Sequence, residues 1–325
     1  MLQRADADTA TLARLASTHH RRHLSGLVFV MLAAALWATV GVASQLIPHD
    51  TAIPQEAYGF ARTAVAGPIL LLCAFVAGGR ASVLPRTGSF SAFLTFGLCC
   101  AVFQVGLFRS FGLIGVTVTV FITVCLPPVI AVAWTMLRQP ALVSRGVLAA
   151  LLMALAGLAS FSGSGFGGGG LAQTMAGLAL SVIASVAFVV MSSAARSLAA
   201  DHAPLLVAGL GLTLASLFLA PAVSAFTPGG WASLAAAIGE WRTGSFLLYL
   251  GLIPTALAYL LYCSGMARCR TAACGLVASM IEPGVAAALA LLLLHEYLSV
   301  WEILGCAMLF LGMLTLWREE QQARR

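Results

Sequence analysis

One carboxyl group stands inside an apolar stretch near the end of the chain. Glu282 is followed by Pro283 and Gly284, and the residues around all three, from 277 to 289, are apolar or small. A carboxylate in such surroundings needs a proton, a counter-charge or water, so it can bind an amine or take up a proton. The alternative is a neutral acid that is hydrogen-bonded beside a packing kink. Because proline has no backbone N–H, Pro283 also leaves the Ser279 carbonyl without its helical partner.

A second stretch has a similar pattern but lacks the acid. It contains Pro127 and Pro128, and Pro128 precedes Pro283 by 155 residues. The two prolines leave the carbonyls of Thr123 and Val124 without helical donors, so these carbonyls are candidate ligand contacts. A kink that serves packing alone explains the prolines equally well. The predicted helix-breaking residues are Pro127, Pro128, Pro283 and Gly284.

Arg62 is a cation within an apolar segment. An arginine at such a position is costly unless it reaches water or a partner. Its side chain can snorkel to the membrane interface, attract a carboxylate of a ligand or pair with Glu56. The pair is disfavoured within one helix, because residues that are six apart do not share a helical face. The first two interpretations remain open.

Several other polar or amphipathic side chains lie in apolar segments and are candidates to line a cavity. An amide within such a segment requires hydrogen-bond partners. Each aromatic residue is also consistent with packing or with anchoring at an interface. The candidates are Trp37, Gln104, Tyr259 and Tyr262.

The composition predicts an all-α integral membrane protein. Of 325 residues, 61% are hydrophobic and 9% are charged, and the mean hydropathy is +0.99. A span of the ~30 Å hydrocarbon core takes about 20 apolar helical residues, and ten segments meet this requirement. The predicted spans are 27–47, 57–78, 90–108, 113–137, 144–162, 175–195, 204–226, 245–266, 271–294 and 301–317.

The arginines orient these spans, because loops that carry positive charge stay in the cytoplasm. With the N-terminus inside, fourteen arginines fall on the cytoplasmic side, whereas only Arg109 and Arg242 fall outside. Both termini are therefore predicted to be cytoplasmic. The same loops account for the net charge of +6 without a nucleic-acid partner. The chain has no Lys or Asn, which are encoded by AT-rich codons, and this indicates a bacterial genome of high GC content. The predicted location is therefore a bacterial inner membrane.

A glycine-rich connection divides the ten predicted helices into two sets of five. An odd number of helices per set inverts the second set, and matched residues recur at an offset of 154 to 155. The matches include Gly97 with Gly251, Ser110 with Ser264 and Pro128 with Pro283. The predicted organisation is a cytoplasmic tail (1–25), a first repeat (26–162), an outer linker (163–174), a second repeat (175–317) and a cytoplasmic tail (318–325).

These motifs resemble the ten-helix EamA type of the drug/metabolite transporter superfamily. The resemblance rests on Ala35-Leu36-Trp37-Ala38, Arg62, Leu126-Pro127-Pro128, Ile281-Glu282-Pro283 and the ending Leu294-His295-Glu296-Tyr297-Leu298-Ser299 with Gly305 and Gly312. The first half departs from the pattern, because Ala141 stands where the second half has Glu296. The resemblance covers 27 to 317 and implies two inverted five-helix repeats.

The resemblance also implies a carrier of small metabolites, commonly an exporter of amino acids. With no HExxH motif and no Walker phosphate loop, we expect neither an enzyme nor an ATP-driven pump but transport by gradients or exchange. Glu282 would then bind an amine or a proton. No cofactor or metal is expected, since the eight cysteines have no CxxC spacing and are interpreted as packing residues.

Two alternatives remain. One is proton-coupled efflux of drugs or cations, but the small multidrug exporters of that superfamily carry their acid in the first helix, which here has none. The other is a non-transporting membrane interaction protein or sensor, and this chain offers no soluble output domain. The expected partners are a small polar metabolite, protons and lipid. Substrate, direction, coupling and oligomeric state are not determined by these residues.

Overall fold

Apolar helices form nearly all of the regular structure of the chain. The computed structural model describes residues 24–46, 55–138, 145–161, 170–227, 229–268, 281–295 and 298–322. Within these ranges there are eleven longer helices, one short 3-10 helix (Arg80–Val83) and no strand. The longer helices are α1 (Leu24–Gln45), α2 (Gln55–Gly78), α3 (Phe90–Ile114), α4 (Val116–Arg138), α5 (Arg145–Phe161), α6 (Gly170–Leu198), α7 (Pro204–Phe226), α8 (Gly230–Gly239), α9 (Trp241–Met266), α10 (Ile281–Leu294) and α11 (Val300–Gln322).

Seven of the described helices are long and apolar enough to cross a membrane, namely α1, α2, α3, α4, α6, α7 and α9. The regular structure of the described residues is therefore all helical and typical of a multi-pass membrane protein. Shorter apolar helices lie within α5, α10 and α11, where the sequence predicts three further spans. The count of ten spans and the inverted repeat remain predictions.

One helix lies in a segment that the sequence predicts to be a connection between two spans. Helix α8 has ten residues, which is half of what a span requires, so its apolar character did not distinguish it from a loop. It follows Gly229, which has a left-handed backbone conformation. The tail before residue 24, most of the glycine-rich linker, residues 269–280 and Glu296 lie outside the described residues.

The residues predicted to break helices lie within described helical segments, and the residues just before Ile281 lie outside the description. Helix α4 continues through Pro127 and Pro128 from Val116 to Arg138, so these residues remove backbone hydrogen bonds without terminating the helix. The chain is also α-helical through Pro283 and Gly284. Among the described residues, π-helical segments lie around Pro254 in α9 (Leu252–Leu257) and at the end of α10 (Ala290–Leu294).

Glycines permit close packing between the predicted halves. A Cβ added to Gly67 of α2 would lie 2.5 Å from the Thr213 backbone nitrogen of α7. One added to Gly157 of α5 would lie 3.0 Å from the Gly305 carbonyl oxygen of α11. Any larger side chain would push these helices apart, so backbone proximity here depends on small residues. The resulting bundle surrounds a central cavity.

Candidate functional site

A small cavity lies among the described helices of the bundle. Seven helices contribute to its wall, and its volume is about 30 Å³, enough for about one or two water molecules. Most of the lining side chains are apolar or aromatic. The lining residues are Trp37, Val40, Gly41, Arg62, Phe103, Leu107, Phe111, Val120, Thr123, Val124, Phe188, Tyr259 and Glu282.

Arg62 of α2 lies deep in this wall rather than at the surface. It is only 2% exposed, so it does not snorkel to an interface. Its Nε donates to Thr255 Oγ1 at 2.6 Å, and its Nη2 donates to the Pro254 carbonyl oxygen at 2.9 Å. The guanidinium carbon lies 6.0 Å from the centre of the Phe108 ring. Arg62 is therefore anchored to α9, on neutral partners.

The π-helical turn of α9 explains how these partners become available. Pro254 has no N–H to donate to the Leu250 carbonyl, which would be its partner in an α-helix. The Thr255 hydroxyl donates to that carbonyl at 2.5 Å. The same hydroxyl oxygen accepts from Arg62, and Thr255 is fully buried. One proline thus produces the irregular turn on which Arg62 is held.

Glu282 of α10 lines the same cavity. It belongs to the segment Ile281–Leu289, which is α-helical. The structure therefore brings together the two charged residues that the sequence singled out, although 220 positions separate them.

Trp37, Tyr259 and Tyr262 form one aromatic cluster beside the cavity. The Trp37 ring centre lies 5.2 Å from that of Tyr259 and 5.2 Å from that of Tyr262. Trp37 and Tyr259 line the cavity, whereas the Tyr262 hydroxyl donates to Ser192 Oγ at 2.7 Å. Among the described residues, the Trp37 indole N–H has no hydrogen-bond partner. It is therefore available to a bound ligand.

Gln104 is the candidate that lies apart from the others. It is 1% exposed and does not belong to the cavity lining. Both atoms of its amide lack a hydrogen-bond partner within the described part of the chain. A Cβ added to Gly59 would lie 3.0 Å from the Gln104 Cβ, so Gln104 lies where α3 packs against α2.

The paired prolines of α4 act on residues of the cavity wall. Thr123 and Val124, whose carbonyls lose their helical donors to Pro127 and Pro128, both line the cavity. The Thr123 hydroxyl donates to the Thr119 carbonyl at 2.8 Å. The corresponding carbonyl before Pro283 belongs to Ser279, which lies outside the described residues.

Helices α1 and α9 contact each other on both sides of the π-helical turn. On the side that precedes the π-helical turn, the Tyr249 hydroxyl donates to Thr39 Oγ1 of α1 at 3.0 Å. On the side that follows it, α1 and α9 meet at Gly26 and Gly265, and a Cβ on Gly265 would lie 2.7 Å from the Gly26 carbonyl oxygen.

An apolar groove lies on the other side of the last segment of α1. This segment, Thr39–Gln45, follows an irregular turn at Ala38. Val40 and Gly41 line the central cavity, whereas Thr39, with its neighbours Val42 and Ala43, lines a groove of about 410 Å³. The cavity and the groove therefore lie on different faces of this seven-residue segment, which separates them.

Several lining residues were not expected from the sequence. Phe103 and Phe188 supply aromatic wall, but phenylalanines are frequent throughout the apolar segments and carry no positional signal. Thr255, which does not line the cavity, was also not expected to hold Arg62. The one sequence feature that points to it is the preceding Pro254, a proline within an apolar segment. Within the described ranges, no group of three His, Cys, Asp or Glu side chains is placed to hold a metal.

Comparisons with known proteins agree with the motifs. Residues 175–318 match the EamA-like transporter family, so the second half of the chain carries an EamA-like domain, as the resemblance implied. The chain is 25% identical over 292 residues to an uncharacterized transporter, YwfM, of Bacillus subtilis (strain 168), covering 89% of this chain and 92% of that protein. The chain thus combines several apolar helices that are long enough to span a membrane with an EamA-like match in its second half.

A solved structure supports the fold. It is described only as "Crystal structure of protein", and it aligns with a TM-score of 0.62 at 20% sequence identity. The alignment covers 90% of this chain and 97% of the other. The helical arrangement is thus shared over nearly the full length of both chains.

Proposed function

We propose that the protein is a secondary carrier that exports small metabolites, foremost amino acids with apolar side chains, across a bacterial inner membrane by alternating access. The observation that carries the proposal is the central cavity, in which one cation and one acid face an otherwise apolar and aromatic wall. An α-amino acid presents a carboxylate to Arg62, an amine to Glu282 and its side chain to the aromatic cluster.

The small volume of the cavity favours a carrier, whose helices move to admit a substrate, over a channel with a continuous open path. Ligand pockets typically enclose roughly 300–1,000 Å³, and the present volume of about 30 Å³ does not accommodate an amino acid. The helices must therefore separate at one end or the other to admit a substrate. Opening at the Tyr249 end and at the Gly265 end in turn would move a substrate across.

An inverted repeat is supported by equivalent glycine contacts. Gly97 and Gly251 match in the sequence at an offset of 154. A Cβ on Gly97 would lie 2.6 Å from Leu214 Cβ of α7, and one on Gly251 would lie 2.7 Å from Val65 of α2. Each glycine thus packs on the second helix of the opposite half, as a twofold relation between the halves requires.

The orientation of the carrier follows from the arginines. With both termini in the cytoplasm, the Tyr249 end of the cavity faces outward and the Gly265 end faces inward. Glu282 is the candidate to exchange a proton during the cycle, so proton coupling is part of the proposal. We infer transport without ATP hydrolysis.

Counterflow in proteoliposomes tests the proposal. Vesicles that contain the purified full-length protein are loaded with one unlabelled compound, and uptake of the labelled compound is followed for apolar amino acids, polar amino acids, amines and carboxylates. We expect counterflow of apolar amino acids above protein-free vesicles. No counterflow across the whole panel would contradict the proposal, and counterflow of lipophilic cations alone would support drug efflux instead.

A further inference from the structure

The guanidinium of Arg62 has one occupied edge and one open edge. Nε and Nη2 lie on the same edge of the planar group, and both donate to α9, to Thr255 and to Pro254. Arginine carries five N–H donors in a rigid fork. The opposite edge, formed by Nη1 and Nη2, makes no hydrogen bond with any described residue. It retains the paired donors that a carboxylate accepts in bidentate fashion.

The partners on the occupied edge fix the orientation of Arg62 without neutralising its charge. A hydroxyl and a carbonyl are neutral acceptors, so a buried cation that they hold still favours an anion nearby. Arg62 lines the cavity, and a ligand in the cavity can supply that anion. The position of the open edge then depends on the two acceptors of α9.

Thr255 is suited to hold this position because the direction of its hydroxyl proton is set. The hydroxyl donates to the Leu250 carbonyl at 2.5 Å, so its lone pairs are left for the Arg62 Nε–H. The Leu250 carbonyl has no α-helical donor, because Pro254 has no N–H, so the Thr255 hydroxyl meets no such competitor there. The contacts run in order: Pro254 leaves the Leu250 carbonyl without its α-helical donor, the Thr255 hydroxyl donates to that carbonyl, and the same hydroxyl accepts from Arg62.

We propose that Thr255 is a positioning residue for Arg62 and that, through Arg62, it sets a preference for ligands that bear a carboxylate. This inference rests on the proposed function, since it assigns a role within the transport cavity. It adds a residue that makes no contact with the substrate itself. Thr255 acts by holding the open edge of Arg62 toward the cavity.

Binding of three matched compounds to the purified full-length protein in detergent tests the assignment. Phenylalanine carries a carboxylate and an amine, 3-phenylpropanoate carries only the carboxylate, and 2-phenylethylamine carries only the amine. In Thr255→Val, which keeps the β-branched shape, we expect the two carboxylates to bind roughly tenfold more weakly, with 2-phenylethylamine changed less than about twofold. Thr255→Ser should restore wild-type binding.

Controls separate positioning from a structural role. In an Arg62→Lys background, which lacks the planar fork, Thr255→Val should cause no further change in the ratio of carboxylate to amine binding. Thr255→Cys, whose thiol is a weaker acceptor, gives a second variant with an intermediate ratio. Thermal unfolding midpoints record any change in stability for each variant.

Distinct results overturn the inference and the proposed function. Equal weakening of all three compounds by Thr255→Val, or no preference of the wild type for phenylalanine over 2-phenylethylamine, would overturn the role of Thr255. If the binding ratio changes as expected but no compound undergoes counterflow in proteoliposomes, transport of these compounds is wrong while the role of Thr255 in carboxylate binding stands.

Discussion

Arg62 and Glu282 line the same cavity, yet within the described part of the chain they form no ion pair with each other. A direct pair would neutralise both charges and leave little reason for a charged ligand to enter. Because the two side chains remain apart, one zwitterion can satisfy both, with its carboxylate on one and its amine on the other. This arrangement is the basis of the first prediction.

Glu282→Gln should separate the recognition of amines from that of carboxylates. Glutamine has nearly the same shape but no negative charge, so one charge-assisted hydrogen bond is lost. We expect the apparent affinity for phenylalanine and 2-phenylethylamine to fall roughly 10- to 100-fold in counterflow. Affinity for 3-phenylpropanoate should not fall. Full wild-type activity of Glu282→Gln with phenylalanine would contradict this role.

Gly41→Ala should impair transport through a clash that a second substitution relieves. A Cβ at this position would lie 2.3 Å from Val116 Cγ1, and the χ1 angle of a valine in a helix is restricted. We expect overpacking to cost about 1–3 kcal/mol, measured as a lower thermal midpoint, with slower counterflow.

Val116→Ala removes the clashing methyl group and provides the matched control. The double variant Gly41→Ala/Val116→Ala should regain stability and transport relative to Gly41→Ala alone. If the double variant is no better than the single one, the contact between α1 and α4 is not the cause of the defect.

Tyr249→Phe should loosen the closure at one end of the cavity. The substitution removes the hydroxyl that donates to Thr39 and keeps the ring. One neutral hydrogen bond contributes about 0.5–1.5 kcal/mol, so the open population should rise roughly 2- to 10-fold. The measurement is the rate at which a membrane-impermeant maleimide labels Val40→Cys in an otherwise cysteine-free protein.

Thr39→Val removes the other partner of the same hydrogen bond. It should raise the labelling rate by a similar factor, and the two substitutions together should exceed neither alone. Additive effects would mean that the two residues act independently and not through their shared hydrogen bond.

Asp201→Asn and His202→Ala should differ in their effect on stability although they are adjacent. Asp201 pairs with Arg86 at 3.3 Å, and the two side chains are 65% and 69% exposed, so the pair contributes about 0–1 kcal/mol. His202 is buried, and its Nε2 accepts from the Arg86 backbone N–H at 3.1 Å. Its removal should cost about 1–3 kcal/mol, measured by thermal unfolding in detergent. The reverse order of effects would contradict this assignment.

The sequence predicted the charged part of the site but not its anchor. Glu282 and Arg62 attract attention because charges are rare in apolar segments, whereas Thr255 is an ordinary residue in such a segment. That Arg62 reaches Thr255, 193 positions away, depends on how α2 crosses α9. No local pattern determines that crossing.

The same holds for the helices: their positions follow from local composition, whereas their irregular turns depend on contacts with other parts of the chain. Long apolar runs such as 90–108 predict α3, because length and hydropathy are local properties. The irregular turn at Pro254 is not among the predicted helix breaks, whereas α4 falls in the span predicted at 113–137 and continues through Pro127 and Pro128. A missing N–H is certain from the sequence, but whether the helix tolerates it depends on which groups surround the freed carbonyl.

The two contacts between α1 and α9 differ in how much must be broken to separate the helices. At the Tyr249 end α1 and α9 share one described side-chain hydrogen bond beside a groove of about 410 Å³. At the other end the backbones of Gly26 and Gly265 touch, and Arg268 stacks 4.8 Å from the centre of the Phe29 ring. The close contact between Gly26 and Gly265 can therefore act as a hinge, about which α1 and α9 separate at the Tyr249 end. For the carrier proposed above, we therefore expect the unloaded protein to open more readily on the Tyr249 side, with the change to the other side as the slow step of the cycle.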